Sequence, residues 1–299
     1  MIVSASYKTD IPAFYAPWFR NRLASGYARV VNPYGGTPFT VPLDPDQAEG
    51  FVFWTRNASP FLDTLDALAG EKRPFVVQIT VTGYPRALER SVIDPARAVA
   101  QIREIARRFG PRSVVWRYDP VLITDLTPPG FHERTVAGLA RDLSRAVDEV
   151  VLSFATIYRK TGANLRRLEH EAGIAWRDPE AEEKRDLLAR LAGIAAEQGI
   201  RPTLCAQPDL LGPALTAAAC IDVRRLSEVA GREIGAREKG NRPGCACAES
   251  RDIGAYDSCP HGCLYCYAVG RPETAKRKYG RHDPEGEFLF APGQATAAP

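Results

Sequence analysis

The sequence lacks an apolar stretch of the roughly 20 residues that a helix needs to cross a bilayer. Residues 1–15 also lack the basic segment and following apolar segment that mark a secretory signal peptide. Charge of either sign is in little excess, since 39 Lys and Arg residues oppose 36 Asp and Glu residues. The net charge of +3 does not by itself indicate a polyanionic partner. We therefore expect a cytoplasmic protein without a membrane partner.

Disulfide bonds are not expected either. The seven cysteines are an odd number, which excludes complete pairing within one chain. A chain of 299 residues, 45% of them apolar, can bury a large core without covalent cross-links. In a reducing compartment, clustered thiols are typical of metal ligands or catalytic groups. The cysteines therefore point to chemistry rather than to stability.

Short apolar segments alternate with longer segments of helical periodicity. Two helices have clear signals: residues 94–110 begin with Asp94 as N-cap and end at Gly110, and residues 178–199 begin with Asp178 as N-cap. The alternation predicts an α/β fold, a (β/α) barrel-like structure of complete or partial TIM type. The predicted strands are IVSAS (2–6), FVFWTR (51–56), FVVQITVT (75–82), SVVWRYD (113–119), EVVLSFA (149–155) and RPTLCA (201–206).

The pattern changes near Arg232, where Gly, Pro and charged residues replace the periodic segments. We predict a barrel-like domain over residues 1–231 and a cysteine-rich iron–sulfur segment over residues 232–299. This segment can complete the barrel in a permuted strand order. In that order, DIGAY (252–256) is a strand that lies beside the strand predicted at residues 2–6.

Three cysteines lie within eight residues of DSCPHGCLYCYA (257–268): Cys259, Cys263 and Cys266, the cysteine triad. Three thiolates leave one position of a four-sided metal centre open, as a reactive site requires. His261 lies between two of these ligands and is expected to point away from their common focus. An iron–sulfur cluster therefore fits the spacing better than zinc does.

The spacing Cys-x3-Cys-x-Tyr-Cys resembles the signature of the radical S-adenosylmethionine enzymes. The resemblance implies that the triad holds a [4Fe-4S] cluster, whose fourth iron binds S-adenosylmethionine, with Tyr265 at the cofactor. In those enzymes one electron from the cluster cleaves a carbon–sulfur bond, and the released 5′-deoxyadenosyl radical removes hydrogen from a substrate, which is unknown here. The implied partner is a reducing electron donor of the flavodoxin or ferredoxin type.

Two further resemblances extend this interpretation. SCPHGCLYCYA is most similar to spore photoproduct lyase-like members, which makes a nucleic-acid repair lyase an alternative. With SASYKTDIPAFY, FWTRN and WRYDPV, nearly the whole chain resembles a bacterial family described as domain of unknown function 1848. The basic run KRKYGRH (276–282) is either a contact for nucleic-acid phosphate or a solvated charge run. An iron–sulfur or zinc module without radical chemistry, and redox-active thiols, remain as alternatives.

The four remaining cysteines can form a second metal site. They are Cys205, Cys220, Cys245 and Cys247, here called the cysteine quartet. Four thiolates close either an iron–sulfur cluster or a tetrahedral zinc site. The alternative is that Cys205 and Cys220 are small buried apolar residues, the commonest role of a free cysteine.

Polar residues follow the predicted strands, and in a parallel barrel the active site gathers where strands end. We predict that Arg117, Tyr118 and Asp119 are catalytic, because Arg117 can bind a carboxylate or phosphate in bidentate fashion. Asp119 or Asp10 can accept a hydrogen bond from a ribose hydroxyl. We predict that Ser6 and Asp10 bind the cofactor, although Asp10 alone is also explained as an N-cap.

Overall fold

The computed structural model describes residues 1–32 and 36–292, so the last seven residues of the predicted C-terminal segment lie outside the described part. The strands are β1 (Ile2–Ala5), β2 (Tyr27–Val31), β3 (Pro38–Pro42), β4 (Gly50–Thr55), β5 (Phe75–Thr80), β6 (Val114–Val121), β7 (Ile123–Thr124), β8 (Glu149–Phe154), β9 (Trp176–Arg177), β10 (Arg201–Leu204), β11 (Thr216–Ala217) and β12 (Ser250–Asp252). The helices are α1 (Ile11–Phe14), α2 (Ala16–Ser25), α3 (Leu62–Gly70), α4 (Pro95–Phe109), α5 (Pro129–Leu143), α6 (Arg159–Ala172), α7 (Ala181–Glu197), α8 (Val223–Ala230) and α9 (Pro272–Tyr279).

Eight of these strands form one sheet in the order β12, β1, β4, β5, β6, β8, β10, β11. Every neighbouring pair in this sheet is parallel. Apart from β12, the spatial order follows the order along the chain, as expected of successive strand–helix units. The α/β class is therefore confirmed, and an eight-stranded parallel sheet is consistent with a partial barrel-like fold.

Both faces of this sheet are buried, which explains why the strands read as unbroken apolar runs. In β4, Phe51 and Phe53 contact Phe19 of α2, with ring centroids 5.9 and 5.4 Å away. Between them, Val52 faces the other side and packs with Ile2 in a second apolar cluster. Each of the six predicted strands overlaps a strand of the sheet. The exposed two-residue β11 has no comparable sequence signal.

The second apolar cluster forms a layer on the face of the sheet opposite α2, beneath the carboxyl ends of the strands. Five neighbouring strands each contribute one side chain to it: Ile2, Val52, Val76, Val115 and Val151. Three cysteines of the quartet belong to the same cluster. Strand alternation places Arg117 on the same face as Val115 and Ser153 on the same face as Val151, so these polar groups lie above the layer, on its cavity side.

The strand that precedes the cysteine triad lies beside β1. Ser4 of β1 pairs with Asp252 of β12, and the Ser4 hydroxyl donates to the Asp252 carboxylate at 2.6 Å. This is the neighbour relation that the permuted strand order predicts, although β12 covers residues 250–252 and not 252–256. A Cβ at Gly254 would lie 1.9 Å from the Ser6 hydroxyl oxygen, so only glycine fits this crossing.

The two helices with the clearest sequence signals differ in how well their starts were predicted. Helix α4 begins as predicted, with Asp94 as N-cap, and ends before Gly110, whose φ is +87°. Helix α7 begins two residues later than predicted, because Glu180 is its N-cap and the Asp178 carboxylate instead pairs with Lys184 at 2.6 Å. None of the helices formed by the described residues has the length and apolar content that a membrane crossing needs.

Replacing the N-cap of α4 tests the local stability argument. The Asp94 carboxylate accepts a hydrogen bond from the backbone N–H of Ala96 at 2.8 Å. Asp94→Ala removes this acceptor, and we expect the free energy of unfolding to fall by about 1 kcal/mol in urea titrations. The control Asp46→Ala, at an exposed turn, should change it by less than about 0.5 kcal/mol. Equal effects of the two variants would contradict the capping role.

Candidate functional site

The carboxyl ends of the parallel strands surround a cavity of about 970 Å³. All seven cysteines of the sequence line this one cavity, although they are spread over more than sixty positions of the chain. Five of the six polar residues predicted for the site also line it: Ser6, Asp10, Arg117, Asp119 and Tyr265. The structure therefore brings together both predicted cysteine groups and most of the predicted polar residues.

The loop that carries the cysteine triad is held by backbone pairing with residues 88–91. Leu264 donates to the Leu88 carbonyl at 3.0 Å, and Ser91 donates to the His261 carbonyl at 2.9 Å. Between them, Gly262 turns the chain with a φ of +71°, and a Cβ there would lie 3.2 Å from the Arg90 side chain. This positive φ is a backbone conformation that favours glycine.

Burial raises the pKa of all three triad thiols, that of Cys263 to about 12. Reactive cysteines that work as free thiolates have a lowered pKa, typically from a neighbouring cation or a helix N-terminus. The triad therefore lacks the electrostatic environment of a redox-active thiol pair. A bound metal keeps such sulfurs as thiolates regardless of their pKa as free thiols.

A buried ion pair lies next to the triad loop. The Arg56 guanidinium donates to Glu89 at 2.7 Å and to the hydroxyl of Tyr265, which in turn donates to Glu89. Thr82 donates to the same carboxylate. Burial opposes the charge of Arg56, but Glu89, Tyr265 and Cys263 together outweigh it and hold the pKa of Arg56 above its ordinary value. Glu89, which the sequence analysis missed, thus fixes Tyr265 between two cysteines of the triad.

Asp10 connects the triad loop to α1. Its carboxylate accepts from the backbone N–H of Ala13 at 2.9 Å, from the backbone N–H of Arg56 at 2.8 Å and from His261 Nε2 at 2.7 Å. A carboxylate has about four acceptor positions, so about one remains for a ligand. Asp10 is therefore an N-cap and a support of the loop, and because it lines the cavity its predicted contact with a cofactor stays a prediction. His261 turns from the triad toward Asp10, as expected.

Ser6 and Lys8 are organised by Asp252, a second residue that the sequence analysis missed. The Ser6 hydroxyl donates to Asp252 at 2.9 Å and accepts from the backbone N–H of Lys8 at 2.9 Å. The Lys8 ammonium lies 3.3 Å from the same carboxylate. Ser6 lines the cavity, so its predicted contact with a cofactor remains available, but its orientation is fixed by Asp252.

Arg117 and Asp119 form a buried ion pair at the wall of the cavity. Arg117 also donates to Cys220 Sγ at 2.8 Å, and Asp119 accepts from Ser153. Burial opposes ionisation of Asp119, but the Arg117 charge and the hydrogen bonds from Ser153 and Arg117 together outweigh it and lower the pKa of Asp119. Both side chains are thus charged and fixed, in agreement with a role in the site.

Tyr118 does not line the cavity, and its prediction as a catalytic residue is wrong for a geometric reason. Successive residues of a strand face opposite sides, so Tyr118 points away from the side occupied by its neighbours. Its ring is fully buried in the main core, where its hydroxyl lies 2.9 Å from His132 Nδ1.

The thiols of the cysteine quartet are close enough to influence one another. Cys205 Sγ and Cys220 Sγ lie 3.5 Å apart, and the Cys247 thiol interacts with those of Cys220 and Cys245. The Cys247 thiol lowers the pKa of Cys245 to about 6. Arg242 donates to Cys205 Sγ at 3.4 Å. Yet among the described residues no three His, Cys, Asp or Glu side chains are arranged around one point that could hold a single metal ion.

The basic run 276–282 lies outside the cavity lining, in and just after α9. The Tyr279 ring packs edge-on against Phe14 and Tyr15, with centroids 5.5 and 5.6 Å away. Tyr279 thus packs against residues in and next to α1. The segment 276–282 contributes no side chain to the lining of the candidate site.

Comparison with known proteins found no match among the curated proteins or among the solved structures. A family model described as domain of unknown function (DUF1848) matches residues 2–268. The match begins in β1 and extends past the last cysteine of the triad, so it includes every strand of the sheet and all of the cavity-lining cysteines. The chain therefore belongs to this family of unknown function, as its sequence resemblance predicts.

Proposed function

We propose that this protein is a radical S-adenosylmethionine enzyme whose cysteine triad holds a [4Fe-4S] cluster. The observation that carries the proposal is that three thiols with this spacing lie on one loop facing a cavity of about 970 Å³. A cavity of this size can enclose a cofactor and a small substrate together. When bound, the cluster would supply one electron that cleaves S-adenosylmethionine and so generates a 5′-deoxyadenosyl radical.

The donor set of the loop fits a cluster with one free iron. The triad supplies three thiols, and His261 is engaged by Asp10 at 2.7 Å, which leaves it unsuited as a fourth ligand. A purely structural metal site uses four protein ligands, whereas a reactive one keeps a position for a substrate or cofactor. This difference favours the enzyme over a metal-binding module without chemistry of its own.

The residues around the triad can hold it rigidly and exclude water. The Arg56–Glu89 pair fixes Tyr265, and its side chains are 11% and 4% exposed. Tyr265 and the loop backbone are therefore held in place before any cofactor binds. Such preorganisation matters for a radical reaction, because the protein must position the reacting groups and prevent side reactions with solvent.

The charges of the cavity support an anionic ligand group. Lys8 is neutralised by Asp252 at 3.3 Å. Arg159 and Arg242 also line the cavity, and neither forms an ion pair with a carboxylate in the part of the chain that the structure describes. Two such guanidinium groups can bind a carboxylate or phosphate. The carboxylate of S-adenosylmethionine and an acidic group of the substrate are both candidates.

The test is cofactor cleavage by the protein itself. Anaerobically prepared protein, reduced with dithionite in place of a natural flavodoxin- or ferredoxin-like donor, should convert S-adenosylmethionine slowly to 5′-deoxyadenosine without substrate. Chromatography with mass detection measures the product. Iron-loaded, reduced protein that yields no 5′-deoxyadenosine, with or without candidate substrates, would show that the site is a metal module or an electron carrier.

A further inference from the structure

We propose that the cysteine quartet binds a second iron–sulfur cluster, fully ligated by the protein and facing the same cavity as the triad. The quartet is assembled from distant parts of the chain: Cys205 follows β10, Cys220 follows β11, and Cys245 and Cys247 lie in the loop before β12. This inference concerns different residues from the triad and does not depend on radical chemistry there.

The sulfur geometry indicates ligand pairs. Bonds of about 2.3 Å from a tetrahedral metal place two sulfur ligands roughly 3.8 Å apart. The separation of 3.5 Å between Cys205 Sγ and Cys220 Sγ is close to that value. Cys245 and Cys247 are separated by one residue and both line the cavity, so they can form a second pair. Two adjacent pairs of thiols therefore offer two places where one metal atom can bind two sulfurs.

The same geometry favours a cluster over a single zinc ion. Zinc in a structural site needs four ligands around one point. The described residues contain no group of even three side chains arranged in that way. In a [2Fe-2S] cluster each iron binds two cysteines, and bridging inorganic sulfide completes the coordination. The four thiols then need not converge on one point, which agrees with two separate pairs of thiols.

Two arginines donate hydrogen bonds to the quartet sulfurs. Arg117 Nη1 lies 2.8 Å from Cys220 Sγ, and Arg242 Nη2 lies 3.4 Å from Cys205 Sγ. A neutral thiol is a weak acceptor, whereas an anionic sulfur is a strong partner for a guanidinium. Arg117 is only 5% exposed, so its charge is placed against these sulfurs without solvent screening. The surroundings thus suit an anionic metal–thiolate centre.

The test separates the quartet from the triad. In the variant with Cys259, Cys263 and Cys266 all changed to Ala, anaerobic protein should still contain iron and acid-labile sulfide in equal amounts, with visible absorption that dithionite bleaches. Adding Cys220→Ala and Cys247→Ala should remove that iron. The parent should contain more iron than the triple variant, by the four irons of the first cluster. Circular dichroism checks that each variant is folded.

The outcomes distinguish this proposal from the proposed function. Zinc in place of iron, a Cys205–Cys220 disulfide, or no metal in a folded triple variant would overturn the second cluster. Failure of the parent to cleave S-adenosylmethionine would leave the second cluster standing if the triple variant still binds iron and sulfide.

The reduction potential of the cluster gives a second measurement. It responds to the charge of a nearby arginine and would not change if that arginine had only a structural role. Arg242→Met removes a cation and a hydrogen bond from the quartet sulfurs. Both changes destabilise the reduced, more negative cluster, so the reduction potential of the cluster in the triple variant should become more negative. Arg232→Met, at an exposed arginine outside the cavity, is the control and should leave the potential unchanged. An unchanged potential in Arg242→Met would place the iron elsewhere.

Discussion

Anaerobically prepared Cys263→Ala protein is expected to release no 5′-deoxyadenosine from S-adenosylmethionine under conditions in which the parent protein releases it. Two thiolates of the triad cannot retain a cluster that needs three. The substitution removes only the sulfur, because the loop is held by backbone bonds between residues 261–264 and 88–91, which the variant keeps. The loss of product should therefore occur in a folded protein.

The control for this experiment is Ser59→Ala, which removes one side-chain atom at an exposed position away from the cavity. It should release 5′-deoxyadenosine at the rate of the parent. Iron analysis should show that Cys263→Ala loses the irons of one cluster and Ser59→Ala loses none. If Cys263→Ala keeps its cofactor cleavage, the triad is not the reactive site.

Glu89→Ala is expected to lower the free energy of unfolding by about 3–5 kcal/mol, because it leaves the guanidinium of Arg56 buried without its charged partner. The same change removes the acceptor of the Tyr265 and Thr82 hydroxyls. Urea unfolding under anaerobic conditions, followed by circular dichroism, measures the change. We also expect slower cofactor cleavage, since Tyr265 loses its support.

The matched control is Glu104→Ala, which also separates a glutamate from arginines. Glu104 pairs with Arg107 and Arg108 on the solvent side of α4, where solvent screens the charges. Its removal should have a much smaller effect on unfolding than that of Glu89. If the two variants are equally stable, Arg56 does not depend on Glu89 for its burial.

The sheet was predictable because its strands are covered on both faces. Such strands are runs of apolar residues, which can be recognised without knowing which strands pair. Segments such as FVVQITVT (75–82) contain little except apolar residues, and each forms a strand. Strand β11 was missed because it is only two residues long and both residues are exposed, so it has no apolar run. The position of β12 beside β1 followed from the resemblance to the radical S-adenosylmethionine enzymes, which implies a strand before the triad, together with the permuted strand order.

The site was predictable where residues of functional types lie close together in the sequence. It was less predictable where a role depends on which face of a strand carries the side chain. Arg117, Tyr118 and Asp119 are consecutive, and the sequence does not say which side of β6 faces the cavity. The structure separates Tyr118 from the other two by strand alternation. Spacing alone identified the triad, whose three members line the cavity together.

The supporting residues were missed because their partners are remote. Glu89 lies 33 positions from Arg56 and 176 positions from Tyr265. Asp252 lies 246 positions from Ser6. Neither carboxylate belongs to a motif that indicates its partners: Glu89 lies in a loop, and Asp252 lies at the end of β12. Only the fold shows that these two side chains hold the polar groups of the cavity.

The pairing of β1 with β12 also sets the order of events while the chain is being made. The Ser4–Asp252 contact joins residues 248 positions apart. At about 5–20 residues per second, β12 is synthesised roughly 12–50 s after β1. During that interval one edge of β1 has no partner, and the triad does not yet exist. A ribosome that stalls before Cys259 releases most of the sheet without the triad, so an unfinished chain cannot acquire the proposed reactive cluster.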